Sequence, residues 1–149
     1  MIEKALFEDL EEILALQKLA YRSEALIYND FGIPPLTQTL ESIRDDFRNQ
    51  VILKAVEGGR IIGSARAYEK DGTCYIGRVI VHPECQNMGI GKKLMLAVEE
   101  IFPQCHKFSL FTGKNSAKNL YFYGSLGYKQ VREEHIHDSL TFVYLEKTK

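Results

Sequence analysis

Between Val79 and Phe102 the chain reads Val-Ile-Val-His-Pro-Glu-Cys-Gln-Asn-Met-Gly-Ile-Gly-Lys-Lys-Leu-Met-Leu-Ala-Val-Glu-Glu-Ile-Phe, and no other stretch constrains the fold as strongly. A β-branched run passes Pro83 into a loop holding Gly89 and Gly91, after which Leu94, Val98 and Ile101 recur at helical spacing. The pattern predicts a strand, a glycine loop and a helix. Without a Cβ the loop backbone can turn tightly, so its N–H groups converge where the helix has unpaired donors and the positive end of its dipole. Such a place binds an anion, and a phosphate fits it best.

Spacing separates three phosphate loops that share this outline. A P-loop needs a hydroxyl after its Gly-Lys pair to reach magnesium, and Lys93 stands there instead. The dinucleotide fingerprint needs a small third residue where Leu94 stands. What remains is Gln86, two residues, Gly89, one residue, Gly91, directly after a strand ending Val-His-Pro. This resembles the acetyl-coenzyme A loop of the GNAT-type N-acetyltransferase superfamily.

Upstream, Ile2 to Leu6 reads as a short strand, and Asp9 is placed to cap a helix carrying Leu10, Ile13, Leu14 and Leu16 and reaching toward Tyr28. Asn29, Asp30, Gly32, Pro34 and Pro35 break it. Leu36, Leu40, Ile43 and Phe47 predict a second helix. Val51–Val56, Ile61–Tyr68 and Thr73–Val81 predict an antiparallel meander, joined by Gly58-Gly59 and Asp71-Gly72 turns that favour positive φ. Pro103 ends the glycine-loop helix, and Phe108–Phe111 predicts a strand parallel to the one before it. A short helix stopped by Gly127 and two final strands, Tyr128–His135 and Leu140–Leu145, close the chain.

The order strand, two helices, three strands, helix, strand, helix, two strands describes an α+β fold with a mixed sheet. It is similar to the whole GNAT-type fold, so the resemblance covers residues 1–149 as one domain. A second segment supports it. Ser116, Asn119, Tyr123, Gly127 and Tyr128 resemble the superfamily's second cofactor-contacting segment, although common members carry Asn where Ser116 stands and Ala where Asn119 stands.

The resemblance implies acetyl transfer from acetyl-coenzyme A to an amine, without a metal. The protein must hold a neutral amine beside the thioester, stabilise the developing oxyanion and protonate the departing thiolate. Backbone amides of Gln86, Asn87, Met88, Gly89, Ile90, Gly91 and Lys92 would surround the pyrophosphate, and Val79, Ile80 and Val81 would offer backbone groups to the pantetheine arm. Lys92 and Lys93 either add charge there or form a solvated helix face. Tyr123 would be the general acid, its competing role being to pack with Tyr121, Phe122 and Leu126. Asn119 either bonds the cofactor or faces solvent. The first two helices would wall the acceptor cleft with Tyr21, Glu24, Tyr28, Asp30 and Glu41, and Tyr75 stands near where some relatives carry a basic Glu. Glu24 and Glu41 would either attract a cationic acceptor or be ordinary surface carboxylates. A different class of function on the same fold is a non-catalytic acetyl-coenzyme A binding or regulatory domain.

A net charge of −1 argues against broad nucleic-acid binding. No apolar run approaches the about 20 residues that span a bilayer, and the start lacks a signal-peptide pattern, so a cytoplasmic protein without membrane partners is expected. Cys74, Cys85 and Cys105 form no paired motif, and His135 and His137 resemble a surface pair more than a metal pair. A homodimer through the final strands is a further expectation.

Overall fold

The structure, a computed structural model, describes all 149 residues. β1 (Ile2–Lys4), β2 (Val51–Glu57), β3 (Arg60–Lys70), β4 (Thr73–Val81), β5 (Lys107–Gly113), β6 (Lys129–His137) and β7 (Leu140–Thr148) form one mixed sheet. Their order across it is β1-β2-β3-β4-β5-β7-β6. All neighbours are antiparallel except β4 and β5, which are parallel as the crossover helix between them requires. Both meander turns have left-handed backbone at their central residues, with φ of 59° and 76° at Gly58-Gly59 and 53° and 81° at Asp71-Gly72.

Helices cover both faces. α1 (Leu10–Ala20) and α4 (Leu40–Asn49) lie on one, with α2 (Arg22–Tyr28) and the single turn α3 (Pro34–Thr37) between them in sequence. α5 (Ile90–Ile101) lies on the other, with α6 (Ala117–Ser125) beside it. Two cores result. Leu94, Met95 and Val98 of α5 meet Cys74, Ile76, Phe108 and Val143 of the sheet. Leu10, Ile13 and Ile43 meet Ile52, Ile61 and Ile80 on the opposite side.

Three local expectations are corrected. Asp9 ends a 3-10 turn, Phe7–Asp9, and does not cap α1; its carboxylate instead accepts from Leu6 N and from Lys54 Nζ, each at 2.7 Å. The first long helix breaks at Tyr21, giving α1 and α2. Leu36 belongs to α3, because Thr39 adopts extended backbone and caps α4 by accepting from Ser42 N. No helix is long and apolar enough to cross a membrane.

Two irregularities in β4 interrupt an otherwise regular sheet. Pairing with β5 covers Thr73↔Lys107, Cys74↔Phe108 and Tyr75↔Ser109 and then stops. Against β3, Arg66 opposes Gly77 while Ser64 opposes Ile80, so β4 carries one extra residue there, and Arg78 takes left-handed backbone at φ 50°. The bulge reverses the alternation of the strand. Ile76 therefore faces the α5 core and Ile80 the α1 core, although an unbroken strand would put both on one side.

The Asp9–Lys54 pair gives a pH test. Burial raises the Asp9 pKa, but the hydrogen bonds from Lys54 and Leu6 outweigh it and hold the carboxyl below its usual range. A depressed folded-state pKa contributes stability above the unfolded value of about 4, lost as pH falls through the folded one. In urea unfolding followed from pH 6 down to pH 2.5, Asp9→Asn is expected to be less stable than the parent at the upper end and to converge on it at the lower. A gap that stays constant with pH refutes this role for Asp9.

Candidate functional site

Beyond Tyr75 and Ser109 the facing edges of β4 and β5 separate, leaving a split inside the sheet rather than at its border. The glycine loop opens at the end of β4 that borders this split. Gly89 is the N-cap of α5 in left-handed backbone, φ 80°, and Asn87 adopts the same region at φ 65°. The consequence is an unusual tally of donors. From Asn87 to Lys92 no backbone N–H donates to a protein acceptor, and pairing resumes with Lys93 N to Gly89 O at 3.1 Å. Free amides at the start of a twelve-residue helix are suited to an anion.

Gln86 fastens this loop through its side chain. Its Nε2 donates to Val81 O at 3.4 Å, and its Oε1 accepts from Lys118 Nζ at 3.0 Å, tying the end of β4 to the start of α6. Lys92 and Lys93 are exposed. Val79 and Val81 pack half-buried against the α5 core while their backbone borders the split.

A second fastening crosses the open end of the split. Glu24 on α2 accepts from Ser116 Oγ at 2.5 Å and from Asn119 Nδ2 at 2.9 Å, and Asn119 also donates to Thr112 Oγ1 at 3.2 Å. The Tyr28 hydroxyl lies 2.7 Å from Ser116 Oγ and accepts from Asn115 N at 3.1 Å. Tyr28 also passes so close to β5 that a Cβ on Gly113 would sit 1.8 Å from its hydroxyl. Residue 113 can therefore carry no side chain while Tyr28 keeps its place.

Tyr123 projects from α6 into the α5-side core at 8% exposure, flanked by Phe122 at 5.1 Å and Tyr128 at 6.2 Å between ring centroids. Tyr128 and Tyr123 differ at the hydroxyl. Tyr128 donates to Glu99 at 2.9 Å. The Tyr123 hydroxyl is not among the buried unpaired side-chain atoms, which are Nε of Arg44, Arg66 and Arg78. Burial first, then Tyr21 and Glu24 nearby, raise the Tyr123 pKa far above the ordinary phenol value, so the proton stays on at any physiological pH.

On the α1/α4 face the same split opens into a cavity of about 580 Å³. Tyr75 lies here, stacked on Tyr68 at 5.3 Å and 23°. Arg66, 3% exposed, is held by Asp46 at 2.6 Å, by Gln38 at 3.3 Å and by Gln17. Arg78 emerges from the bulge beside Tyr21, whose phenol is raised by burial and drawn back by the Arg78 charge.

Sequence expectations map unevenly onto this geometry. Tyr21 and Glu24 lie near Tyr123, but the Glu24 carboxylate and the Tyr28 hydroxyl are engaged by Asn115, Ser116 and Asn119 and do not stand open to an acceptor. Asn119 neither faces solvent nor offers its amide donors to a ligand, since Glu24 and Thr112 take them. Asp30 lies at the rim, 3.6 Å from His137 on the final hairpin, and Glu41 is exposed in the first turn of α4. His82 Nδ1 accepts from Glu84 N at 3.1 Å, shaping the loop. Arg66 and Arg78 belong to no motif in the sequence. A glycine inside a strand marks bulges, so Gly77 carries a legible signal for Arg78; nothing local points to Arg66.

The acetyltransferase (GNAT) family model matches residues 7–128. Among curated proteins, the UPF0157 protein YqkA of Bacillus subtilis is 29% identical over 120 residues, which is 80% of this chain and 34% of that protein. The chain thus spans about a third of the length of this relative. Among solved structures, the PaiA N-acetyltransferase of Thermoplasma acidophilum in complex with coenzyme A superposes with a TM-score of 0.82 at 20% identity, covering 100% of this chain and 98% of that one. A ribosomal-protein-alanine N-acetyltransferase of Brucella melitensis gives 0.82 at 18% identity, covering 100% and 99%. YncA of Salmonella typhimurium with its cofactor acetyl-CoA gives 0.76 at 20% identity, covering 99% and 92%. Each shares the fold with this chain.

The contact between Tyr28 and Gly113 is testable with an internal control. Gly113→Ala forces Tyr28 off the end of β5 and is expected to cost about 1–3 kcal/mol, the usual range for overpacking. Gly124→Ala on α6, where an added Cβ meets nothing within 4 Å, is expected to be neutral or to stabilise. Urea midpoints of the two variants read the difference; equal midpoints refute the close packing at Gly113.

Proposed function

The chain belongs to the acetyltransferase (GNAT) family, and from that premise we propose that it transfers the acetyl group of acetyl-coenzyme A to the neutral primary amine of an acceptor by direct attack. The observation that carries this reading is the run of free amides from Asn87 to Lys92 at the mouth of the split between β4 and β5. The residues present suit the cofactor. A diphosphate fits convergent N–H groups at a helix start, and the edge of β4 over Val79, Ile80 and Val81, which β5 does not pair and where Val81 O accepts only from the Gln86 side chain, can bond an amide-bearing arm as another strand would. The solved relatives whose names include coenzyme A or acetyl-CoA support the same cofactor.

Bound acetyl-coenzyme A supplies an electrophilic thioester carbonyl and a sulfur leaving group. The roles of the chain follow from its geometry. The acceptor side of the split holds the amine against the carbonyl carbon, so that a C–N bond forms as the C–S bond breaks. Tyr123 keeps its proton because burial disfavours the phenolate, and it donates that proton to the departing sulfur as charge develops there. The surplus proton on the attacking nitrogen leaves to water, from which Tyr123 is restored. Glu24, Ser116 and Asn119 fix α6, and with it the phenol, relative to α2.

Tyr123→Phe tests the acid. The substitution removes a hydroxyl and little volume, so coenzyme A affinity by calorimetry and the thermal shift it induces are expected to stay near the parent values. Thiol release with any amine the parent acetylates is expected to fall about 100-fold or more, at the scale of lost general-acid catalysis. Undiminished turnover removes Tyr123 from the mechanism, and absence of any thermal shift with acetyl-coenzyme A refutes the cofactor itself.

A further inference from the structure

The cavity on the α1/α4 face has a definite chemical character. Its floor is made by both sides of the split, with Gly77 and Arg78 from β4 and Ser109, Leu110 and Phe111 from β5, so a group held in the split meets this space at its far end. Part of the wall is aromatic. Tyr68 stacks on Tyr75, and Phe111 packs on Tyr144 at 5.4 Å.

The charged part of the wall is not balanced. Asp46 is consumed by Arg66 at 2.6 Å, and Glu146 lies 3.7 Å from Lys107. Arg78 and Arg132 also line the cavity, and neither enters any of the ion pairs of the molecule. Arg132 rests its guanidinium 3.7 Å over the Tyr144 ring, which occupies a face and leaves edge donors available. Nε of Arg78 and Nε of the almost wholly buried Arg66 are both buried without a hydrogen-bond partner. Guanidinium groups in this state gain from an anion with paired oxygens, and they repel a cation.

We infer that the acceptor is a small amino carboxylate with an apolar or aromatic body, its carboxylate facing Arg78 and Arg132, its body against Tyr68, Tyr75 and Phe111, and its amine toward the split. The inference rests on the acetyl-transfer reading of that split. It excludes polyamines and other polycations as preferred acceptors, because the carboxylates that would attract them are already engaged by Arg66, Lys107 and α6.

Matched pairs differing by one carboxylate test it: L-phenylalanine against phenethylamine, and L-leucine against isoamylamine, with spermidine as the polycation. Ligand-observed NMR on protein saturated with coenzyme A reads binding without requiring turnover. The carboxylated member of each pair is expected to bind about tenfold tighter, as one charge-assisted bidentate contact allows. Arg132→Met, on an exposed edge strand, is expected to shrink that ratio toward one, and Arg132→Lys to keep part of it; Arg78→Met provides a second variant. Equal or tighter binding of the decarboxylated amines or spermidine overturns the inference. So does tighter binding of 2-aminoethyl phosphate than of either amino acid, a ratio untouched by both Met variants, or no binding of any member at millimolar concentration. Thiol release from all amines without carboxylate preference overturns this inference alone. Carboxylate-selective binding with no thiol release for any amine overturns acetyl transfer and leaves the carboxylate site standing.

Discussion

β4 and β5 run side by side for three residue pairs and then part, in the middle of a seven-stranded sheet. A sheet interior is a costly place to leave peptide groups unpaired, because each buried donor or acceptor without a partner forfeits about 1–3 kcal/mol. The split is sustained by its surroundings. The bulge at Arg78 turns β4 away from β5, the α2–α6 hydrogen bonds close the open end, and Tyr28 packs directly on the backbone of Gly113. The peptide groups that the fold leaves unpaired are then available to a guest chain of amides, which is the use proposed for them.

The two mouths of the split differ in the kind of positive charge they offer. On the α5 side it comes from backbone amides and a helix terminus, diffuse and fixed in direction, suited to a diphosphate. On the α1/α4 side it comes from guanidinium side chains mounted on a bulge and an edge strand. Tyr123, Tyr21 and Glu24 lie close enough for Tyr21 and Glu24 to act on the pKa of Tyr123. A molecule entering from either side thus meets groups that the other side does not duplicate.

The legible part of this architecture is the part written in local pattern. Strand alternation, the hairpin dipeptides, the glycine loop and Pro103 act within a few residues, and the meander, α5 and the parallel β5 are all readable from them. Asp9 shows where that logic fails: it has the type and position of a cap, but Lys54, distant in sequence, competes for its carboxylate. Glu24 shows the same for function. As a lone carboxylate on a helix it reads as surface, yet it is bonded to residues more than ninety positions away. The parity of β4 is marked only by Gly77, a glycine inside a strand, while the bulge beside it moves every later side chain to the other face.

That parity change also sets which side chains of β4 face each helical layer. Before the bulge, Ile76 packs under α5; after it, Ile80 packs under α1, and Val79 and Val81 line the α5 side where the glycine loop begins. Arg78 stands at the reversal, lining the cavity on the α1/α4 face and lying near Tyr21, which packs on that same face. Straightening β4 would pair its edge with β5, close the split and withdraw this arginine in one step, so the opening and its charge are consequences of the same backbone irregularity.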